Sequence, residues 1–235
     1  MSLPVVAVPR FITELPISKL KVSFRPFLVK EEKSLIMANE SGEAKDVTNA
    51  VTQIVEACTD GVVTAKNGSM FDMQHMFLQI RAKSIGETIE FYLVCTKDGC
   101  NHKVSREINV EEFKLHETPG HTHVIDLGNG LQVEMRYPNF DMFSRLYESE
   151  EEDVIYDVVA ACIGKIITPE EVVENNGEDP TEWRTFVDNL TPEQFAKLEV
   201  FFDTMPVLQY NTTYTCEACQ TVNDVTIDGV RNFFG

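Results

Sequence analysis

The 235-residue sequence contains no apolar run near the roughly 20 residues that a membrane-spanning helix requires. It is also poor in positive charge. Twenty lysines and arginines stand against 38 aspartates and glutamates, a net charge of −18. That balance argues against nucleic acid and against anionic membrane as partners. Catalytic signatures are missing as well: no G-x-x-x-x-G-K-[ST], no G-x-S-x-G and no H-E-x-x-H occurs. Gly164-Lys165 is followed by Ile166 and falls in a helical pattern. Met1 to Arg10 has too short an apolar run, and no early positive charge, for a signal peptide. The cysteines are therefore expected to be reduced, and metal is favoured over disulfide. The sequence gives no reason to expect an enzyme.

Only six cysteines are present, and four of them fall in two pairs. Cys95 and Cys100 follow Phe91-Tyr92-Leu93-Val94, with Gly99 to turn the chain; Cys216 and Cys219 follow Thr213-Tyr214-Thr215 and precede Thr221-Val222. Each pair brackets a tight turn between β-branched and aromatic residues. This is the pattern of a knuckle, in which one strand ends in a thiolate and the next begins with another. Zinc takes four soft ligands in a tetrahedron, so two knuckles supply a closed, structural site: Cys95, Cys100, Cys216 and Cys219 holding Zn2+. Two unlinked reduced pairs, or redox use of Cys216 and Cys219, are the competing readings. His102, two residues past Cys100, is an alternative ligand. His121, His123 and Asp126 form a weaker candidate set that lacks an evident further ligand. Cys58 and Cys162 lie in apolar helical patterns and read as buried, inert thiols.

The predicted fold class is α+β. Residues 1–18, with Pro4, Pro9 and Pro16, read as an extended arm. Lys19 to Arg25 alternates strictly and predicts a half-buried strand. Helices follow at Lys30–Asn39, Asp46–Cys58 and Met70–Lys83, the last capped by Ser69. His75 on that helix is expected to be a partly exposed surface residue. The period then becomes strand-like. One hairpin surrounds the first knuckle, and another turns at Gly128-Asn129-Gly130. Helical spacing resumes after Pro138, including a helix through Val154, Val158, Cys162 and Lys165. Thr168-Pro169-Glu170-Glu171 and Thr191-Pro192-Glu193-Gln194 are near-duplicate helix starts. Strands at 207–215 and 222–227 flank the second knuckle. The organisation expected is an arm at 1–18, a body of 19–138 plus 207–235 with a zinc-ribbon-like β region, and an acidic helical insertion at 139–206. The metal would staple the chain's end onto its middle.

Charge is unevenly spread. Residues 1–30 carry Arg10, Lys19, Lys21, Arg25 and Lys30 against Glu14, whereas residues 139–203 carry 17 acidic and 4 basic side chains. A basic arm and a very acidic lobe suggest docking between neighbouring subunits, with Arg10, Lys19, Lys21 and Arg25 as partner-binding residues. The acidic run at 148–153 has a structural explanation too, since it complements a helix dipole.

Leu15-Pro16-Ile17-Ser18 followed by Val22-Ser23-Phe24-Arg25-Pro26-Phe27, a Lys-Glu-rich helix, a cysteine pair after a strand, and a terminal C-x2-C followed by Phe233-Phe234 together resemble the baseplate hub proteins of T-even-type contractile-tailed bacteriophages. The resemblance covers residues 1–110 and 211–235; the acidic lobe has no counterpart in it. It implies a structural or assembly role in the central hub, in the virion tail or in the host cytoplasm during assembly. The implied partners are other baseplate and hub proteins, with homo-oligomerisation within the hub compatible. A zinc-ribbon protein-binding adaptor and a C-x-x-C thiol-redox protein are the alternatives from other classes.

Overall fold

The computed structural model describes residues 7–148 and 153–228. Phe233-Phe234, residues 1–6 of the expected arm and residues 149–152 of the acidic run lie outside them. The described residues form seven α-helices and eleven strands in small sheets, the α+β class that the sequence predicts. They divide into two units, residues 7–116 with 207–228, and residues 117–148 with 153–206.

The first unit begins with a hairpin. β1 (Phe11–Glu14) pairs antiparallel with β2 (Lys21–Phe24), placing Phe11 opposite Phe24 and Glu14 opposite Lys21. The expected free arm is thus in part a paired strand, and Leu15 is buried behind it. The cause is a buried carboxylate: Asp72 accepts from the backbone N–H groups of Ile17 (2.9 Å) and Ser18 (3.2 Å) and ties down the turn. Val22 and Phe24 supply the inward face of β2.

α1 (Val29–Ser41) ends at Gly42, whose φ of 74° is the left-handed conformation of a helix stop. α2 (Ala44–Cys58) buries the stripe Val47, Val51, Ile54, Val55 and Cys58. α3 (Met70–Ile85) is capped by Ser69, whose hydroxyl accepts from Asp72 N–H. Phe71, Met73, Met76, Phe77, Leu78 and Ile80 are all buried, so α3 is the unit's central helix. His75 is partly exposed, as expected, with Nε2 3.1 Å from Thr13 Oγ1.

β3 (Thr88–Val94) pairs with β4 (Lys103–Asn109). A single 3-10 turn at Val110–Glu112 leads into β5 (Lys114–His116), a short strand that periodicity does not reveal. The chain leaves this unit after His116 and returns at Val207. β10 (Val207–Thr215) then pairs with both β5 and β11 (Val222–Asp228).

The second unit contains a four-stranded antiparallel sheet in chain order: β6 (Val124–Gly128), β7 (Leu131–Met135), β8 (Ile163–Ile167) and β9 (Val172–Glu174). Its helices are α4 (Phe140–Glu148), α5 (Val154–Cys162), α6 (Pro180–Asp188) and α7 (Pro192–Asp203). The stretch expected to be an acidic helical insertion therefore contains two strands beside its helices. The unit also starts at 117, ahead of the expected 139, because Leu127, Val133 and Met135 of the hairpin share a core with Val158, Trp183, Leu198 and Phe201. Gly164-Lys165 lies in β8 rather than in a helix, since the β-branched Ile163, Ile166 and Ile167 pair with β7. Thr168-Pro169-Glu170-Glu171 starts no helix. The Thr168 hydroxyl accepts from Glu171 N–H (3.1 Å) and closes the β8–β9 turn. Its near-duplicate does start one: Thr191 caps α7, with Pro192 at the first position and Gln194 completing a capping box.

Candidate metal centre

Both halves of the candidate site lie in the first unit. β3 carries the chain into Cys95 and β4 carries it away after Cys100; β10 leads into Cys216 and β11 follows Cys219. The two loops turn in the same way at their ends. Asn101 and Gln220, each directly after its pair's second cysteine, have φ of 50° and 59°. Gly99, with φ of 76°, gives the longer C-x4-C loop its additional turn. Backbone bonds close each knuckle: Cys95 N–H donates to His102 C=O (2.9 Å), Cys100 N–H to Lys97 C=O (3.1 Å), and Cys216 N–H to Thr221 C=O (2.8 Å).

The four cysteines that the sequence singles out converge, their sulfurs all lying within 4.8 Å of one another. Cys95 Sγ is 3.6 Å from Cys219 Sγ, and Cys100 Sγ is 3.8 Å from Cys216 Sγ. Four sulfurs placed 2.3 Å from one zinc ion stand about 3.8 Å apart along the tetrahedral edges, whereas a disulfide needs about 2.05 Å. All six cysteines are free. The close contacts cross from one knuckle to the other, so the pairs form one cluster.

Electrostatics within the cluster favour a cation. The Thr221 hydroxyl and backbone N–H, together with the Cys100 and Cys216 thiols, stabilise a thiolate at Cys219 and draw its pKa down to about 6. At Cys100 the His102 backbone N–H pulls in the same direction. It is outweighed by Cys219, burial, Cys216 and Cys95, which push that thiol up to about 12. Burial, followed by the charge of Cys95, Cys216 and Cys100, also raises the pKa of the Tyr214 hydroxyl. One thiolate forms readily and the next ones repel it. Four thiols so close together could hold a metal ion, whose positive charge would offset that repulsion.

The other sequence candidates lie elsewhere. His102 gives the knuckle its backbone carbonyl and is not in the cysteine group. His121 holds Thr204 Oγ1 (3.0 Å) and Tyr137 Oη (2.9 Å), His123 Nδ1 is 2.9 Å from Met135 O, and Asp126 accepts from Gly128 N–H. These three are thus engaged in the second unit's own structure. Cys58 and Cys162 are fully buried, and burial pushes their thiols up to about 11 and about 12.

The basic residues of the N-terminal region separate into two kinds. Arg25 pairs with Glu31 (3.1 Å), both side chains being largely buried, and Arg10 pairs with Asp60 (2.6 Å). Lys19 and Lys21 are exposed.

Sequence reasoning missed Asn223. This strand residue is 1% exposed, and its Oδ1 accepts from both the N–H and the hydroxyl of Thr96, at 2.8 Å each. No local pattern marks it.

No helix among the described residues is long and apolar enough to cross a membrane. No curated protein and no solved structure matches the chain. The family model described as T4 bacteriophage base plate protein matches residues 8–235, spanning both units and both knuckles. The chain belongs to the T4 bacteriophage base plate protein family.

Proposed function

We propose that this base plate protein is a structural or assembly component of the central hub of the contractile tail, acting through protein–protein contacts and stabilised by a zinc ion on Cys95, Cys100, Cys216 and Cys219. The observation that carries the metal reading is the convergence of four free thiols from two distant knuckles within 4.8 Å. Four thiolates fill the coordination sphere of zinc, leaving no open position for a substrate. The role of the ion is therefore structural, in keeping with a non-enzymatic base plate component. The surrounding β region is zinc-ribbon-like. The metal joins residues 95–100 to residues 216–219, fastening the returning chain segment to the one that leaves.

The partners are other base plate and hub proteins, with self-association in the hub compatible with the same surfaces. The outward side of the N-terminal hairpin supports a docking role. Lys19 and Lys21 are exposed there beside Ile12 and Leu20, which are 74% and 48% exposed. Such a mixed apolar and cationic surface suits an acidic neighbour. Arg10 and Arg25 contribute by holding the hairpin through Asp60 and Glu31.

The test is complementation of a phage lacking this gene with a Lys19→Glu/Lys21→Glu variant, scored by electron microscopy of tails. Loss of complete base plates with the purified variant still folded is the expected result. Normal base plates would remove the hairpin from the interface.

A further inference from the structure

We infer that Asn223 is a positioning residue for the cysteine cluster, its buried carboxamide setting the two knuckles against each other so that four sulfurs face one point. This rests on the metal reading above and extends it to a residue outside the ligand set. At 1% exposure, the amide must find its hydrogen bonds within the protein. It does so on both knuckles at once. Oδ1 accepts from the backbone N–H and the hydroxyl of Thr96, the residue directly after Cys95. Nδ2 donates to Thr221 C=O at 2.9 Å.

That carbonyl is the one that also accepts from Cys216 N–H, and the Thr221 hydroxyl lies 3.3 Å from Cys219 Sγ. A single side chain thus reaches the neighbour of Cys95 and the residue that organises Cys216 and Cys219. None of its bonds uses a sulfur atom, so the link does not depend on the protonation of the cysteines. Asparagine suits the position because it presents an acceptor to one knuckle and a donor to the other. Aspartate lacks the donor and would add a negative charge beside the thiolates. Groups around a metal site that orient its ligands carry a measurable share of its affinity.

The experiment uses the full-length chain as wild type, Asn223→Ala, Thr96→Val and Cys219→Ser. Each is titrated with Co2+, followed by the sulfur-to-metal charge-transfer absorbance, and with Zn2+ in competition with a chromophoric chelator. Asn223→Ala should still bind one ion per chain with a four-sulfur Co2+ spectrum, but roughly 10- to 100-fold more weakly. Thr96→Val, which removes the hydroxyl bond to Asn223 Oδ1 and keeps the backbone N–H bond, should show a smaller loss in the same direction. Cys219→Ser should lose the four-sulfur spectrum altogether.

Unchanged affinity in both Asn223→Ala and Thr96→Val would overturn the inference. A lower Tm of the metal-bound form with affinity retained would do the same, because that is the signature of a merely structural residue. Where Asn223→Ala does not fold, Thr96→Val decides. Failure of wild type to bind either ion would instead overturn the metal reading itself, and the inference with it.

Discussion

Cys95 Sγ and Cys219 Sγ lie 3.6 Å apart although 124 residues separate them in the chain. That distance is too long for a disulfide and close to the edge of a zinc–sulfur tetrahedron. A redox pair of the C-x-x-C type usually owes its reactive thiolate to a helix N-terminus. Cys216 and Cys219 instead sit in the turn between two strands and share their surroundings with the other knuckle. The geometry favours ligation over redox chemistry.

The Arg25–Glu31 pair anchors the first unit. Glu31 also accepts from Leu28 N–H at 2.7 Å. Burial acts to raise its pKa. The Arg25 hydrogen bond, the Leu28 N–H and the charges of Arg25 and Lys30 outweigh burial and hold the carboxyl below its usual 4.5. A folded-state pKa below the unfolded one means stabilisation that is present above about 4.5 and lost as pH falls through the folded value. Glu31→Gln should cost about 1–3 kcal/mol at neutral pH, as expected for a charged hydrogen bond with a largely buried partner. Urea unfolding at pH 7 and pH 4 checks both points, and the gap between variant and wild type should narrow at the lower pH.

Thr168 and Thr191 begin near-identical tetrapeptides but do different work. Thr191→Ala removes a helix cap and should cost about 1 kcal/mol, with some loss of helical circular dichroism. Thr168→Ala opens a β-turn and should leave the helical signal unchanged. Equal helix loss in both variants would contradict the assignment of β8 and β9.

His121 stacks on Tyr137 and packs against Phe201, and both of its ring nitrogens are engaged. Burial, then the neighbouring His123, lower its pKa below the usual 6.5, against a weaker opposing pull from Glu117. The neutral ring is thus the native form. Its contribution is complete above the unfolded pKa and is lost as pH falls through the lower folded value. An NMR titration should place the His121 midpoint below 6.5, and His121→Phe should remove that component of acid destabilisation. A midpoint above 6.5 would contradict the packing described for this ring.

The knuckles were legible in the sequence because each is local: two cysteines, a turn, and β-branched flanks. The helices α2 and α3 were legible through their apolar stripes and the Ser69 cap. What failed was decided by tertiary contacts. Ile163 to Ile167 fits helical spacing as well as strand spacing, and its pairing with β7 settles it as strand. Phe11 to Glu14 reads as part of a Pro-rich arm until β2 and Asp72 hold it in place. The start of α6 also carries a local signal in Asp179-Pro180-Thr181-Glu182, an Asp cap followed by proline. Asn223 had no signal at all, because its role exists only once two distant knuckles meet.

A single metal ion held by four cysteines is what joins the two ends of the first unit in this proposal. Native mass spectrometry of the full-length protein, with and without a strong chelator, tests it most directly. The proposed site requires one zinc per chain, lost on chelation together with folded charge states, and absent from Cys216→Ser under the same conditions. A metal-free protein whose Cys216 and Cys219 oxidise readily to a disulfide would contradict it.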